Sequence, residues 1–251
     1  MKASVVLSAG AAKRVIAKGV VVLPTVKNAL VKGTIVITLG TTNAIVAEEI
    51  LGRAIDRTAF AAGFIDNRFN INERLGEMDK IIIRNGEEIE IDQQELLDSL
   101  GTGDVIIKGG NAIDPWGNVG VLMASRTAGT VGRYYSIALA RGVEVVIPIS
   151  LQKAIHTPID ELARQMGSKR IDLYMGLPCG MHPIDGHVTT EIDALETLFP
   201  VQVAQIAGGG VGSGAGSVSL LITGQESAVR AAFDLVKNIS AEADISLQGT
   251  A

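Results

Sequence analysis

Residues 34–52, TIVITLGTTNAIVAEEILG, change periodicity halfway along. The first part, TIVITLG, is a continuous β-branched and apolar run without polar alternation, the pattern of a strand covered on both faces, as in a parallel sheet. The second part, TNAIVAEEILG, reads as a helix, with Thr42 or Asn43 as N-cap and Gly52 as its stop. A buried strand that runs through a glycine into a helix is half of a βαβ unit, so a mainly parallel sheet is expected.

The flanking sequence extends this pattern. Upstream, SAGAAKRVIAKGVV and LPTVKNALVKG have helical spacing, and Gly33 closes the second. Downstream, KIIIRNGEEIEID (80–92) is a hairpin signal, with Asn85-Gly86 suited to a type I′ turn. QQELLDSL follows as a short helix, GDVIIKGG as a second buried strand, RTAGTVGRYYSIALARG (126–142) as a helix and VEVVIPIS as a third buried strand. Strand, helix and strand at this spacing predict an α/β domain over residues 1–155, its parallel sheet carrying helices on both faces. After Ser150 the texture changes. HTPIDELARQMG, TEIDALETLF and ESAVRAAFDLVKNI read as helices; IDLYMG, VQVAQIAGG and SVSLLITG read as strands. That order predicts a smaller ferredoxin-like α+β domain over 156–251.

Composition narrows the function classes. Hydrophobic residues make up 47% and aromatics 4%, which fits Ala-, Leu-, Ile- and Val-packed helices on a β-branched sheet. The net charge of -5, with no basic block, leaves no footprint for nucleic acid. Lys13, Arg14, Lys18, Lys27 and Lys32 interrupt the most apolar early segment, so no membrane span is expected, and MKASVVLSAGAAKR is too short in its apolar part for a signal peptide. A single cysteine, Cys179, excludes an internal disulfide. The expectation is a soluble cytoplasmic protein without nucleic-acid or membrane partners.

Two strand ends carry the candidate chemistry. At the first, Gly40, Thr41, Thr42 and Asn43 precede a helix whose free N–H groups and dipole favour an anion; the alternative is a plain helix cap. This turn is neither a P-loop nor a GxGxxG fingerprint, and no cofactor is assigned. The second lies in IIKGGNAIDPWGNVGV (106–121), where Lys108, Gly109, Gly110 and Asn111 leave the next strand, followed by the turn Asp114-Pro115-Trp116-Gly117. Carboxyl ends of parallel strands lie on one side of the sheet, so both loops are expected to converge on a small anionic metabolite. Lys108 would neutralise it, and Asp114 would orient a hydroxyl or act as base; the alternative is a surface lysine beside a turn-capping aspartate.

Three further stretches stay open. GLPCGMHPIDGH (176–187) gathers Cys179, His182, Asp185 and His187, which reads as a zinc cluster, as a thiol nucleophile beside a histidine, or as a linker loop; no metal is assigned. AGGGVGSGAGS (207–217) lies between two strands and reads as a bend or a closing loop. FIDNRFNINERLGEMDK (64–80) reads as solvated surface, or supplies Asp66, Asn67 or Arg68 to the site.

GGNAIDPWGNVGVLMASRTAGT followed by a helix and ARGVEVVIPIS resembles the isomerase/CoA-transferase superfamily, which includes ribose-5-phosphate isomerase, methylthioribose-1-phosphate isomerase, regulatory subunits of the eukaryotic initiation-factor exchange complex and lactate-utilisation proteins. DVIIKGGNAI is similar to the IKGGG stretch of ribose-5-phosphate isomerase, and LGTTNAIVAEEI to its phosphate-binding turn. The resemblance covers residues 31–150. It implies binding of a phosphorylated or CoA-linked metabolite, isomerase or transferase chemistry, and a homo-oligomer; the catalytic candidates, read from the residues themselves, are Asp114, Lys108 and Cys179. One position departs from the pattern. The acid these isomerases use falls nearest Asn111, and an amide is no general base, which favours a non-catalytic metabolite sensor on the same scaffold over a standard isomerase. An assembly protein is a further alternative, against which the polar loops at two strand ends argue.

Overall fold

The computed structural model describes residues 1–66 and 76–245. Strand β1 (Lys2–Leu7) leads into helices α1 (Ala9–Val22) and α2 (Pro24–Lys32), then β2 (Thr34–Thr38) and α3 (Thr41–Leu51). The hairpin β3 (Lys80–Arg84) and β4 (Glu87–Glu88) turns at Asn85-Gly86, whose φ angles of 53° and 84° are those of the expected type I′ turn. Helix α4 (Gln93–Ser99), β5 (Val105–Ile107), β6 (Ala112–Ile113), β7 (Val119–Met123), α5 (Ser136–Arg141) and β8 (Glu144–Pro148) follow. The remainder comprises α6 (Ile159–Gln165), β9 (Gly180–Ile184), β10 (His187–Thr189), α7 (Glu191–Leu198), β11 (Val201–Gly209), β12 (Ser217–Gly224) and α8 (Glu226–Asn238).

A six-stranded sheet in the order β10-β8-β5-β2-β3-β4 forms the centre, so the protein is α/β. Strands β10, β8, β5 and β2 run parallel, and the β3–β4 hairpin closes the other edge antiparallel. Every residue of β2 is buried, as its unbroken apolar run requires. Ile35 and Ile37 pack with Ile16, Val20 and Ile45 from α1 and α3, while Val36 packs in a second cluster with Leu96, Val121 and Tyr134. A second sheet, β6-β7-β9, joins that second cluster through Val119, Val121 and Ile184.

The third sheet, β1-β12-β11, is antiparallel throughout. Its alternating residues Val5, Leu7, Val218, Leu220 and Ile222 bury one face against Ala11 and Val15 of α1, Leu195 of α7 and Val229 of α8. This layout differs from a self-contained domain over 156–251. The edge strand β1 comes from the chain's first residues, and β10, from beyond residue 155, pairs with β8 of the central sheet. IDLYMG is not a strand: Leu173, Tyr174 and Met175 are exposed, so its apolar side chains have no layer to cover. The helix expected over 126–142 begins only at Gly129 and runs through a five-residue π-helical turn, Val131–Tyr135, into α5.

Among the described residues, no helix is long and apolar enough to cross a membrane.

Candidate active-site cleft

Because β2, β5 and β8 are parallel neighbours in register, the loops that leave Thr38, Ile107 and Pro148 open on one side of the sheet. They bound a cleft of about 1230 Å³, large enough for a nucleotide-sized molecule. Gly40, Thr41, Thr42, Asn43, Lys108, Gly109, Gly110 and Asn111 all line it. Its remaining walls come from Ala61 to Ile65, from the segment after β7 and from residues 152–155, with Ala215 and Gly216 at the end of the glycine-rich loop.

The start of α3 is open. Gly40 is its N-cap and no side chain caps it, because neither Thr42 nor Asn43 turns back to the first-turn amides. Asn43 is instead fully buried and donates from Nδ2 to the carbonyls of Thr38 (2.8 Å) and Ile107 (3.3 Å), tying the ends of β2 and β5 together. The Asn43 Oδ1 and the Thr42 hydroxyl, both buried, have no hydrogen-bond partner among the described residues. Buried polar atoms are seldom left so, and these two border the cleft beside free helix-start N–H groups.

The cleft is strongly asymmetric in charge. Its described lining holds four cations, Lys13, Lys108, Arg126 and Lys153, against one carboxylate, Asp244. Asp244 is committed to Lys13, Oδ1 to Nζ at 2.5 Å. Lys108 Nζ donates to the Gly109 carbonyl and Lys153 Nζ to the Gly110 carbonyl, each at 2.7 Å. Burial pulls the Lys108 amine down to about 8. Burial is also the main cause at Lys153, which falls to about 8 with Lys13 and Lys108 adding repulsion against a smaller opposing pull from Asp244. The turn that presents Lys153 is fixed from beneath: buried Glu191 takes the Ser150 hydroxyl on Oε1 (2.5 Å) and the Leu151 N–H on Oε2 (2.9 Å).

The structure separates the other sequence candidates from this cleft. Asp114 does not line it. Its buried carboxylate accepts from the N–H groups of Trp116, Asn118 and Ile159 and from Asn118 Nδ2, so it holds the 114–118 turn and the start of α6 rather than a ligand. Burial opposes ionisation there, yet these donors keep the carboxyl below its usual range. Trp116 stands on that turn, 69% exposed. Asn111 uses both ends of its amide, donating to the Gly63 carbonyl (2.7 Å) and accepting from the Leu122 N–H (3.0 Å). Gly110 serves packing: a Cβ there would stand 2.3 Å from Val119 Cγ1.

Cys179 is buried and outside the cleft, and burial pushes its thiol up, away from the thiolate a nucleophile needs. His182 lies in β9 edge-on to the Tyr135 ring, and His187 is exposed at β10. Among the described residues, no group of three or more His, Cys, Asp or Glu is placed to hold a metal. Of the 64–80 stretch, Phe64 and Ile65 line the cleft, while Asn67 and Arg68 lie outside the described residues.

Lys13, Lys153, Arg126 and Asp244 are the cleft residues that the sequence reading missed. Lys153 follows the third buried strand, VEVVIPIS, as Lys108 follows the second, so the same strand-end rule reaches it. Lys13 gives a weaker signal, a cation on the small-residue face of AGAAKR.

Comparison of the chain with protein-family models, with curated proteins and with solved structures finds no match. The likeness to the isomerase/CoA-transferase superfamily therefore rests on the residues quoted for it.

Proposed function

We propose that the protein binds a small phosphorylated or CoA-linked metabolite in this cleft, with its anionic group at the start of α3. The observation that carries this reading is charge: four cations face one carboxylate, itself already paired, beside an uncapped helix start. Desolvated cations without counterions are costly, and an anionic ligand offsets that cost. Lys108 supplies charge, and the Thr42 hydroxyl and first-turn amides supply directed donors.

One observation favours a sensor over a standard isomerase. Asn111 and Asp114, the residues nearest an isomerase's acid, are both consumed in structural hydrogen bonds.

A thermal-shift titration with inorganic phosphate, pyrophosphate and CoA tests the binding claim. A saturating rise in Tm with at least one of them is expected, by mass action on the folded state, and Lys108→Met is expected to weaken that titration about tenfold or more. No rise with any of the three, up to millimolar concentration, refutes it.

A further inference from the structure

We propose that Lys153 is a carbonyl-reactive amine that forms an imine with a phosphorylated aldehyde or ketone held in the cleft. The inference rests on the reading of this cleft as a phosphate site and adds a covalent step to it.

Two lysine amines are anchored one residue apart, on the consecutive carbonyls of Gly109 and Gly110. A functional lysine cation is ordinarily matched by a carboxylate, yet the cleft's single described carboxylate is taken by Lys13. Three lysines therefore crowd one end of a partly desolvated cavity, with one counterion among them. Crowding of like charges and loss of water both favour the neutral amine, which alone has the lone pair a nucleophile needs. With the Lys153 amine near 8, about one molecule in ten carries it neutral at pH 7, against roughly one in several thousand for an ordinary lysine.

The positions of the two lysines divide their roles. Gly109, whose carbonyl holds the Lys108 amine, borders the α3 start, since a Cβ on it would lie 3.6 Å from Asn43 Oδ1, and the phosphate is assigned to that side of the cleft. Lys153 and Lys108 repel each other, and Lys13 adds further repulsion at Lys153. Glu191 anchors its turn through Ser150 and Leu151, and the Gly110 carbonyl holds the amine itself. One N–H of Lys153 is committed to the Gly110 carbonyl, which leaves the lone pair for another direction.

The step balances without an outside oxidant or reductant. Nζ attacks the carbonyl carbon, the C=O electron pair moves onto oxygen, and a proton passes from nitrogen to that oxygen to give a carbinolamine. Loss of the hydroxyl together with the second amine hydrogen, as water, leaves the C=N bond. An imine makes the neighbouring C–H acidic, so the class of reaction served is rearrangement, cleavage or condensation beside a carbonyl.

Pyridoxal phosphate, which joins an aldehyde to a phosphate, is a suitable probe. The full-length chain is incubated with it, reduced with borohydride and mapped by peptide mass spectrometry. Near-stoichiometric modification of Lys153 is expected, at least tenfold ahead of the solvent-exposed Lys27 and Lys32, with a rate that levels off near pH 8 and with pyridoxal itself labelling far less. Lys153→Arg, which keeps the charge and the donor but not the nucleophile, is expected to lose the label while retaining the Tm rise with pyrophosphate. Labelling of Lys153 no faster than Lys27 and Lys32, or labelling centred on Lys108, overturns the proposal. If pyrophosphate still raises Tm in that case, the phosphate reading survives; labelling of Lys153 that is equal for pyridoxal and its phosphate ester would instead count against the phosphate reading alone.

Discussion

At position 111 an amide is needed because one end must donate and the other accept. An aspartate there keeps the acceptor for the Leu122 N–H but sets a carboxylate oxygen against the Gly63 carbonyl. Asn111→Asp, which restores the acid that the superfamily pattern places nearby, is therefore expected to destabilise the fold by about 1–3 kcal/mol, measured as a lower urea midpoint with unchanged slope. A variant as stable as the parent would show that the Gly63 bond carries nothing. Thr42 gives the complementary case, a hydroxyl without a partner among the described residues. Thr42→Val keeps the shape and removes only that hydroxyl, so Tm should stay within a few degrees while pyrophosphate binds about three- to tenfold more weakly by isothermal titration. Equal affinity would remove Thr42 from the site. Residue types alone placed Thr42, Asn43, Lys108 and Gly109 at the cleft, because they follow buried parallel strands. The turn-capping alternative for Asp114 is legible, because Trp116 and Asn118 follow within four residues. Its bond to Ile159, 45 residues on, is not, nor are the bonds of Asn43 to Ile107 (64 residues away) and of Asn111 to Gly63 (48 residues away).

Elements were legible in proportion to how completely their burial shows in the sequence. β2, β5 and β8 have unbroken apolar centres and read as strands; the half-buried β1, KASVVL, gives a weaker signal. β9 was missed because GMHPI carries a proline and a glycine, both poor strand formers, and is defined by its pairing with β7. Helix α1 shows a constraint that periodicity cannot. A Cβ on Gly10 would stand 2.4 Å from the Glu242 carbonyl oxygen and 2.8 Å from the Asp244 nitrogen, so the chain after α8 lies directly on the helix backbone. Gly10→Ala should improve helix propensity yet lower stability by about 1–3 kcal/mol through overpacking, and limited proteolysis should cut the segment after α8 faster. A stabilised, protease-resistant Gly10→Ala protein would mean that this contact yields without cost.

At the scale of the whole molecule, both chain ends are drawn into one structure. β1 pairs with β12, and the segment after α8 returns to an ionic cluster in which Arg14 and Arg57 each bind both Glu48 and Glu242. The sequence shows these charges only as isolated letters, up to 228 residues apart, so a two-domain division was the natural reading and the interleaving was invisible. Burial would raise the Glu48 carboxyl, but the hydrogen bonds from Arg57 and Arg14 outweigh it and hold it near 2, against an ordinary 4.5. Its pKa is depressed on folding, so its contribution is complete above the unfolded value and disappears as pH falls through the folded one. The window is thus from about pH 4.5 down to 2. With the Glu48 side chain 7% exposed, screening by water is limited, and the linked stability is about 2 kcal/mol once the strong coupling of the cluster is discounted. Thermal unfolding from pH 2 to 7 checks this against Glu48→Gln, which keeps the shape and removes the charge. The parent should be the more stable by a constant margin above pH 5, and the two curves should converge towards pH 2. A margin that persists unchanged at pH 2 would mean that packing of the side chain, rather than its charge, accounts for what Glu48 contributes to the cluster joining α1, α3 and the segment after α8.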